Sequence, residues 1–197
     1  MRFKTIQIDI NEQNLFFSSD SHFMHKNIIK YCNRPFESVD EMNKTLIERW
    51  NNVVGEKDIV IHAGDFCFGG KVQWVQLLRR LNGIKYIAAG NHDKSIPTSE
   101  FVEVRQRLDI RVIGDPEIAS DGQRITIDHY PMISWYQSHR GAWQLFGHVH
   151  GGLSNKGLEE SKLTPNQLDV GVDIHDFTPI SYEEVKTIIT KQNLKTV

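Results

Sequence analysis

Lys85-Tyr86-Ile87-Ala88-Ala89-Gly90-Asn91-His92-Asp93 carries a short apolar run straight into a glycine, an amide, an imidazole and a carboxylate. Lys85 to Ala89 is too short for a stable helix and ends at a glycine, so it reads as a buried strand. Gly90 leaves room for a close backbone approach. An Asn carbonyl can ligate a divalent cation without adding negative charge, and a His beside an Asp suits a positioned proton donor. The tetrapeptide is specific, although alone it could still be loop punctuation. The reading therefore depends on whether other strands end in the same kind of chemistry.

Four others do. Upstream, Leu15-Phe16-Phe17-Ser18-Ser19 runs into Asp20-Ser21-His22, and Ile59-Val60-Ile61-His62 runs into Ala63-Gly64-Asp65. Downstream, Ile125-Thr126-Ile127 precedes His129-Tyr130-Pro131, and Gln144-Leu145-Phe146 precedes Gly147-His148-Val149-His150-Gly151-Gly152. The i, i+2 spacing of Asp20 with His22 and of His148 with His150 places each pair on one face of an extended chain. Taken singly, a turn Asp or a core His explains each cluster. Repetition at five strand ends points instead to one shared centre. Asp20, His22, Asp65, Asn91, His129, His148 and His150 form a mixed oxygen and nitrogen set suited to manganese, iron, zinc or nickel rather than to calcium or magnesium alone. With Asp65 shared through its two oxygens, they supply four ligands to each of two ions.

The remaining pattern predicts layered sheets with helices outside. Further strands are expected at Met1 to Ile10, Arg111 to Ile113 and Leu168 to Val172. Ser38-Val39-Asp40-Glu41 reads as a capping box before a helix burying Met42, Leu46 and Trp50. A second helix is expected from Lys71 to Leu81 with Val72, Val75 and Leu78 inward, and a third from Thr98 to Leu108. A last one follows the box Ser181-Tyr182-Glu183-Glu184, with Val185, Ile188 and Ile189 inward. No linker or repeat divides residues 1–197, which read as a single domain.

Composition narrows the function classes. The 197 residues carry 23 Lys and Arg against 25 Asp and Glu, a formal charge of -2, so no basic surplus favours long nucleic acid. No apolar run approaches the roughly 20 residues of a membrane span, and the amino terminus lacks the apolar centre of a secretory signal. With only Cys32 and Cys67 the chain has no disulfide framework, and a cytoplasmic setting is expected.

The ordered series Asp20-x-His22, Gly64-Asp65, Gly90-Asn91-His92-Asp93, His129 and Gly147-His148-x-His150 resembles the calcineurin-like metallophosphoesterase superfamily. Within it, His22-Phe23-Met24-His25-Lys26-Asn27-Ile28-Ile29 and Asn33-Arg34-Pro35-Phe36 resemble the small single-domain phosphoesterases of bacteria and phages. The resemblance implies an α/β fold, a four-layer αββα sandwich of two mixed sheets flanked by helices. It also implies two divalent ions, manganese foremost with iron, zinc or nickel as alternatives. One would be held by Asp20, His22, Asp65 and His150, the other by Asp65, Asn91, His129 and His148. The implied reaction is hydrolysis of a phosphomonoester or phosphodiester by a water shared between the ions, with His92 as proton donor and Asp93 orienting it. Arg34, with its bidentate fork, His25 and Asn91 are candidates for binding substrate. The expected partner is a phosphorylated small molecule or nucleotide; a nuclease, or a metal-binding scaffold without activity, are the alternatives. Of the aromatic residues near the motifs, Phe66, Phe68, Tyr130, Trp135 and Trp143, most read as core and the rest as surfaces able to stack a base. Cys67 reads as a small buried residue, and His62, His139 and His175 as structural or surface groups.

Overall fold

In the computed structural model, which describes residues 5–118, 121–153 and 162–195, the strands assort into two sheets of five. The first runs β1 (Thr5–Asp9), β6 (Arg107–Ile113), β7 (Gln123–Asp128), β8 (Trp143–Phe146), β9 (Gln167–Asp169). The second runs β10 (Ile180–Ser181), β2 (Leu15–Ser18), β3 (Ile59–His62), β4 (Ile84–Ala88), β5 (Glu103–Arg105). Neighbours are parallel except β6 with β7 and β10 with β2, so both sheets are mixed. The described helices are α1 (Ile28–Tyr31), α2 (Val39–Val53), α3 (Lys71–Leu78) and α4 (Tyr182–Leu194). The architecture is the α/β sandwich that the resemblance implied.

Burial explains why the two sheets read so differently in sequence. β6 alternates strictly: Leu108, Ile110 and Val112 are buried, while Arg107, Asp109 and Arg111 keep to the outer face. It is buried on one side only. β2 and β3 are apolar almost throughout because both of their faces are covered. Leu15, Phe17, Ile59 and Ile61 pack between the sheets with Leu108, Ile110, Ile125, Ile127 and Leu145. Phe16, Val60 and Ile87 point the other way, against Met42, Leu46 and Trp50 of α2 and Trp74, Leu77 and Leu78 of α3. α4 contacts β10, β2 and β9 and sends Tyr182, Val185 and Ile189 into the inter-sheet core, where the Tyr182 ring stacks on Trp143 with centroids 5.7 Å apart. Helical cover is thus concentrated on the second sheet and at the edge that α4 closes.

Three expectations are corrected. The segment Thr98 to Leu108 is not a helix: a 3-10 turn at Thr98–Glu100 leads into β5 and β6, where edge pairing with β4 and the period-two alternation prevail. α3 ends at Leu78, and its inward face is Trp74, Leu77 and Leu78, with Val72 exposed. Burying the large indole of Trp74 rotates the helix away from the predicted stripe. The Ser38 cap is half a box, since its hydroxyl accepts the Glu41 amide but the Glu41 carboxylate accepts from Glu37 instead. At Ser181 both halves form with Glu184. β1 occupies Thr5–Asp9 of the amino-terminal strand; the first four residues lie outside those described. Among the described residues no helix is long and apolar enough to cross a membrane.

Phe17 is fully buried between the sheets. Phe17→Ala is expected to lose about 3–5 kcal/mol of stability in urea unfolding, against about 1 kcal/mol for Ser181→Ala, which removes only a helix cap.

Candidate metal centre

The carboxyl ends of β2, β3 and β4 meet those of β7, β8 and β9, so loops from both sheets close over the edge of the inter-sheet core. Backbone hydrogen bonds zip these loops together. The Asp20 amide donates to the Gly64 carbonyl at 3.0 Å, the His22 amide to the Asp65 carbonyl at 3.0 Å, and the Gly147 amide to the His129 carbonyl at 3.1 Å. Asp20, His22, Asp65, His148 and His150 all adopt left-handed backbone, with φ between 48° and 71°. The side chains therefore converge through tight left-handed turns, which corrects the extended-chain geometry expected from i, i+2 spacing. Such concentration of uncommon backbone is a mark of a functional site. Gly90 and Gly147 permit it: a Cβ at Gly90 would strike the Asp65 amide and carboxylate, and one at Gly147 would strike Ser19 and the Asp20 carboxylate.

The ligating atoms of Asp20, His22 and His150 lie within 4.8 Å of one another, as do those of Asp65, His129 and His148. Asp20 Oδ1 stands 3.9 Å from both His22 Nε2 and His150 Nε2. Asp65 Oδ2 stands 3.6 Å from His22 Nε2 and 3.4 Å from His129 Nε2, so it faces both groups. Ligands sharing one divalent ion at about 2.0–2.2 Å are separated by about 3 to 4 Å. Two of these atoms, Asp20 Oδ1 and His22 Nε2, are buried without any hydrogen-bond partner. Leaving such atoms bare is costly, and a cation would complete both. The donor set and its spacing fit divalent metal ions.

The ring orientations are fixed from behind. His129 Nδ1 donates to the Ala63 carbonyl at 2.9 Å, which leaves Nε2 facing Asp65 and, at 3.1 Å, Asn91 Oδ1. His150 Nδ1 donates to Asp173 Oδ2 at 2.7 Å, which aims Nε2 at Asp20. A carboxylate or carbonyl behind a ligating imidazole fixes its tautomer and raises its basicity. His62 lies beneath the centre: Nδ1 accepts the Gly64 amide at 3.2 Å, so Nε2 donates to Ser21 Oγ at 2.9 Å.

These contacts also set how readily each side chain holds a proton. Burial pushes the Asp20 carboxyl up to about 7. Burial opposes ionisation of Asp65 too, but the hydrogen bond and charge of His129, the His92 amide and His22 outweigh it and hold the group at about 2. Burial drives His22 down to about 2 and His62 down to about 3. His150 is buried as well, yet hydrogen bonds with Asp173 and Cys32 and the charge of Asp20 raise it to about 10. His129 is raised against its burial by Asp65 and Asp20.

Around the ligands the sequence-based assignments divide. His92 sits at the rim with its side chain 43% exposed; its amide donates to Asp65 Oδ1 at 2.9 Å and its Nε2 lies 3.9 Å from Asp65 Oδ2. Asp93 does not orient that ring. Its carboxylate accepts the amides of Asp65 (2.8 Å), Phe66 (2.9 Å) and Gly90 (2.9 Å), tying the ends of β3 and β4 together. Asn91 Oδ1 also accepts the Tyr130 hydroxyl at 3.2 Å. Arg34 is not a phosphate fork. It is buried, with Nε and Nη2 on Asp173 at 2.7 and 2.9 Å and further bonds to the carbonyls of Ser21 and Asp20. His25 does reach the cleft, where its ring stacks on Phe68 at 3.7 Å. Phe66, Trp135 and Trp143 are core, Phe68 and Tyr130 exposed, and Cys67 is buried.

Asp169 and Asp173 went unassigned in the sequence and belong to the centre. Asp169, buried at the end of β9, accepts the amides of Gly151 and Gly171 at 2.9 and 2.8 Å. Asp173 joins His150 to Arg34. The cue was available: Leu168-Asp169 ends a sixth strand in chemistry, as the other five do. A cleft of about 610 Å³ opens over the cluster, lined by His22, Asp65, His92, His148 and His150 together with His25, Tyr31 and Phe68.

Comparison with known proteins places the chain in a family. The calcineurin-like phosphoesterase family model matches residues 14–171, which contain all the candidate ligands. The chain is 35% identical over 183 residues to an uncharacterised protein of Methanocaldococcus jannaschii, covering 91% of this chain and 93% of that one. It is 25% identical over 183 residues to the Gene 66 protein of Mycobacterium phage L5, covering 81% and 86%. Its fold is similar to the crystal structure of a protein of unknown function from Aquifex aeolicus, with a TM-score of 0.68, 24% identity, and coverage of 89% and 99%. The chain belongs to the calcineurin-like phosphoesterase family.

Metal must displace the protons that His150 holds across the neutral range and Asp20 holds below about pH 7. Apparent affinity for manganese is therefore expected to rise by about tenfold or more per pH unit between 6 and 8, with proton release seen by calorimetry in buffers of different ionisation enthalpy. Asp173→Asn, which removes the carboxylate behind His150, is expected to weaken manganese binding through that ligand by about 10- to 100-fold in the same titration.

Proposed function

We propose that this chain is a phosphoesterase that works with two divalent metal ions and hydrolyses phosphomonoesters or phosphodiesters of small molecules or nucleotides. The observation that carries this reading is the position of Asp65 Oδ2, 3.6 Å from His22 Nε2 in one ligand group and 3.4 Å from His129 Nε2 in the other. Asp20, His22 and His150 would hold one ion, Asn91, His129 and His148 the other, with Asp65 common to both. Manganese is the first candidate, and iron, zinc and nickel suit the same donors. Bound ions would polarise a phosphoryl oxygen and make water a nucleophile near neutral pH.

The chain's own groups supply the rest. Asp20 and His129 are wholly buried, so bulk water is kept from these two ligands, while Asn91 and His148 are exposed toward a bound phosphate. The His92 amide, bonded to Asp65 Oδ1, fixes the backbone of the loop at the ligand floor while the ring remains partly exposed above it. That placement suits delivery of a proton to a departing alkoxide or phenoxide. Retention of all seven candidate ligands together with His92 favours turnover over a role as an inactive scaffold.

The test is turnover of bis-p-nitrophenyl phosphate and p-nitrophenyl phosphate by metal-stripped protein reloaded with manganese. Activity is expected to require metal and to fall about 10²- to 10⁴-fold in His92→Ala, with two ions still bound. Two bound ions and no turnover of either ester, or full activity in His92→Ala, would overturn the proposal.

A further inference from the structure

Two kinds of residue line the cleft: the ligands His22, Asp65, His148 and His150, and the apolar or aromatic Ile28, Tyr31, Phe68 and Val149. No lysine or arginine lines it among the described residues, and Arg34 is buried in its own ion pair with Asp173. A polyphosphate or a nucleic-acid backbone requires cations along its path, and outside the ligands this lining offers mainly hydrocarbon and aromatic rings.

Phe68 is the residue that stands out. Phe66 and Cys67 beside it are buried, whereas Phe68 is 40% exposed, although a hydrogen bond from its amide to the Phe23 carbonyl at 2.9 Å fixes its backbone. The His25 ring lies parallel against it, at 3.7 Å and 12°, and the exposed Tyr31 meets His25 edge-on at 6.1 Å. The ring is therefore backed and held, not loose. Its centroid lies 4.8 Å from that of His92, and the two residues also border an adjoining cavity of about 360 Å³. If His92 protonates the leaving oxygen, whatever that oxygen carries lies against Phe68.

We infer that Phe68, backed by His25 with Tyr31 at the rim, is a stacking subsite for a planar aromatic group on the leaving side of a phosphate ester, either a nucleoside base or an aryl ring. This inference rests on the phosphoesterase reading for the placement of the leaving group. Stacking on an aromatic side chain tolerates any flat π-face, so the subsite selects a class of substrate without reading a particular base.

Phosphonates, which the protein would not hydrolyse, separate binding from turnover. Calorimetric titration of manganese-loaded protein with methylphosphonate, phenylphosphonate and the phosphonate analogue of adenosine monophosphate should show at least one aromatic probe binding about tenfold more tightly than methylphosphonate. Which aromatic probe gains distinguishes an aryl from a nucleoside occupant. The gain should vanish in Phe68→Ala and return in Phe68→Tyr, with methylphosphonate affinity and melting temperature unchanged in both. Equal affinity for all three probes, or a preference that survives Phe68→Ala, overturns the inference. A preference that follows Phe68 in a protein that turns over no ester would leave the subsite standing and remove the phosphoesterase reading. Turnover without any preference would do the reverse.

Discussion

The Asp65 carboxylate is the contact on which the two sheets' loops agree. Oδ1 accepts the His92 amide at the end of β4, and Oδ2 faces His22 after β2 and His129 after β7. The backbone of the same residue accepts the His22 amide and donates to Asp93. One residue thus sets the relative positions of three loops from one sheet and one from the other. A charge so placed is tolerable only because donors surround it. Removing it would leave no carboxylate between the two ligand groups.

The location of the centre follows from where the hydrophobic core stops. Phe17, Ile61, Ile127 and Leu145 fill the space between the sheets, and Asp20, His62, His129 and Asp169, all buried, begin where those strands end. Apolar packing below supplies stability, while the polar layer above depends on pairing. Arg34 shows how far that pairing extends. Its guanidinium bonds to the carbonyls of Asp20 and Ser21 and to Asp173, which in turn holds His150. The segment after α1 is thereby coupled to the ligand His150, whose ring also lies beside Cys32 at the end of that helix. Arg34 supports the site from within and does not face substrate.

Much of this was legible in the sequence because strands that end in ligands leave a local signature. Each apolar run and its polar end, with a glycine between them in three of the five, lie within ten residues, and the family likeness orders them. What was lost is what local sequence cannot carry. The left-handed turns at Asp20 and His22 are set by hydrogen bonds to Gly64 and Asp65, some forty residues away. Arg34 looked available because it follows the first ligands closely, but Asp173, which claims it, enters from the other end of the chain. Asp93 next to His92 suggested a pair; backbone amides of β3 and β4 took the carboxylate first. The missed strand at Glu103–Arg105 is an edge strand, with no second neighbour to impose a clear alternation.

The protons of the metal-free centre also change how its charge should be counted. His129 Nε2 faces two acceptors, Asp65 and Asn91, and His150 lies between Asp173 and Asp20, so both rings favour the imidazolium when no ion is bound. His22, desolvated and without a hydrogen-bond partner at Nε2, stays neutral. Divalent ions would therefore exchange with protons already held at His129 and His150, and with the one on Asp20 in mild acid. The gain in positive charge is smaller than the ions' own charge. What the exchange adds is location, because positive charge on two ring nitrogens would be replaced by charge between them, facing the cleft. That concentration can attract a phosphate to a protein whose formal charge is -2 and whose described cleft lining contains neither lysine nor arginine.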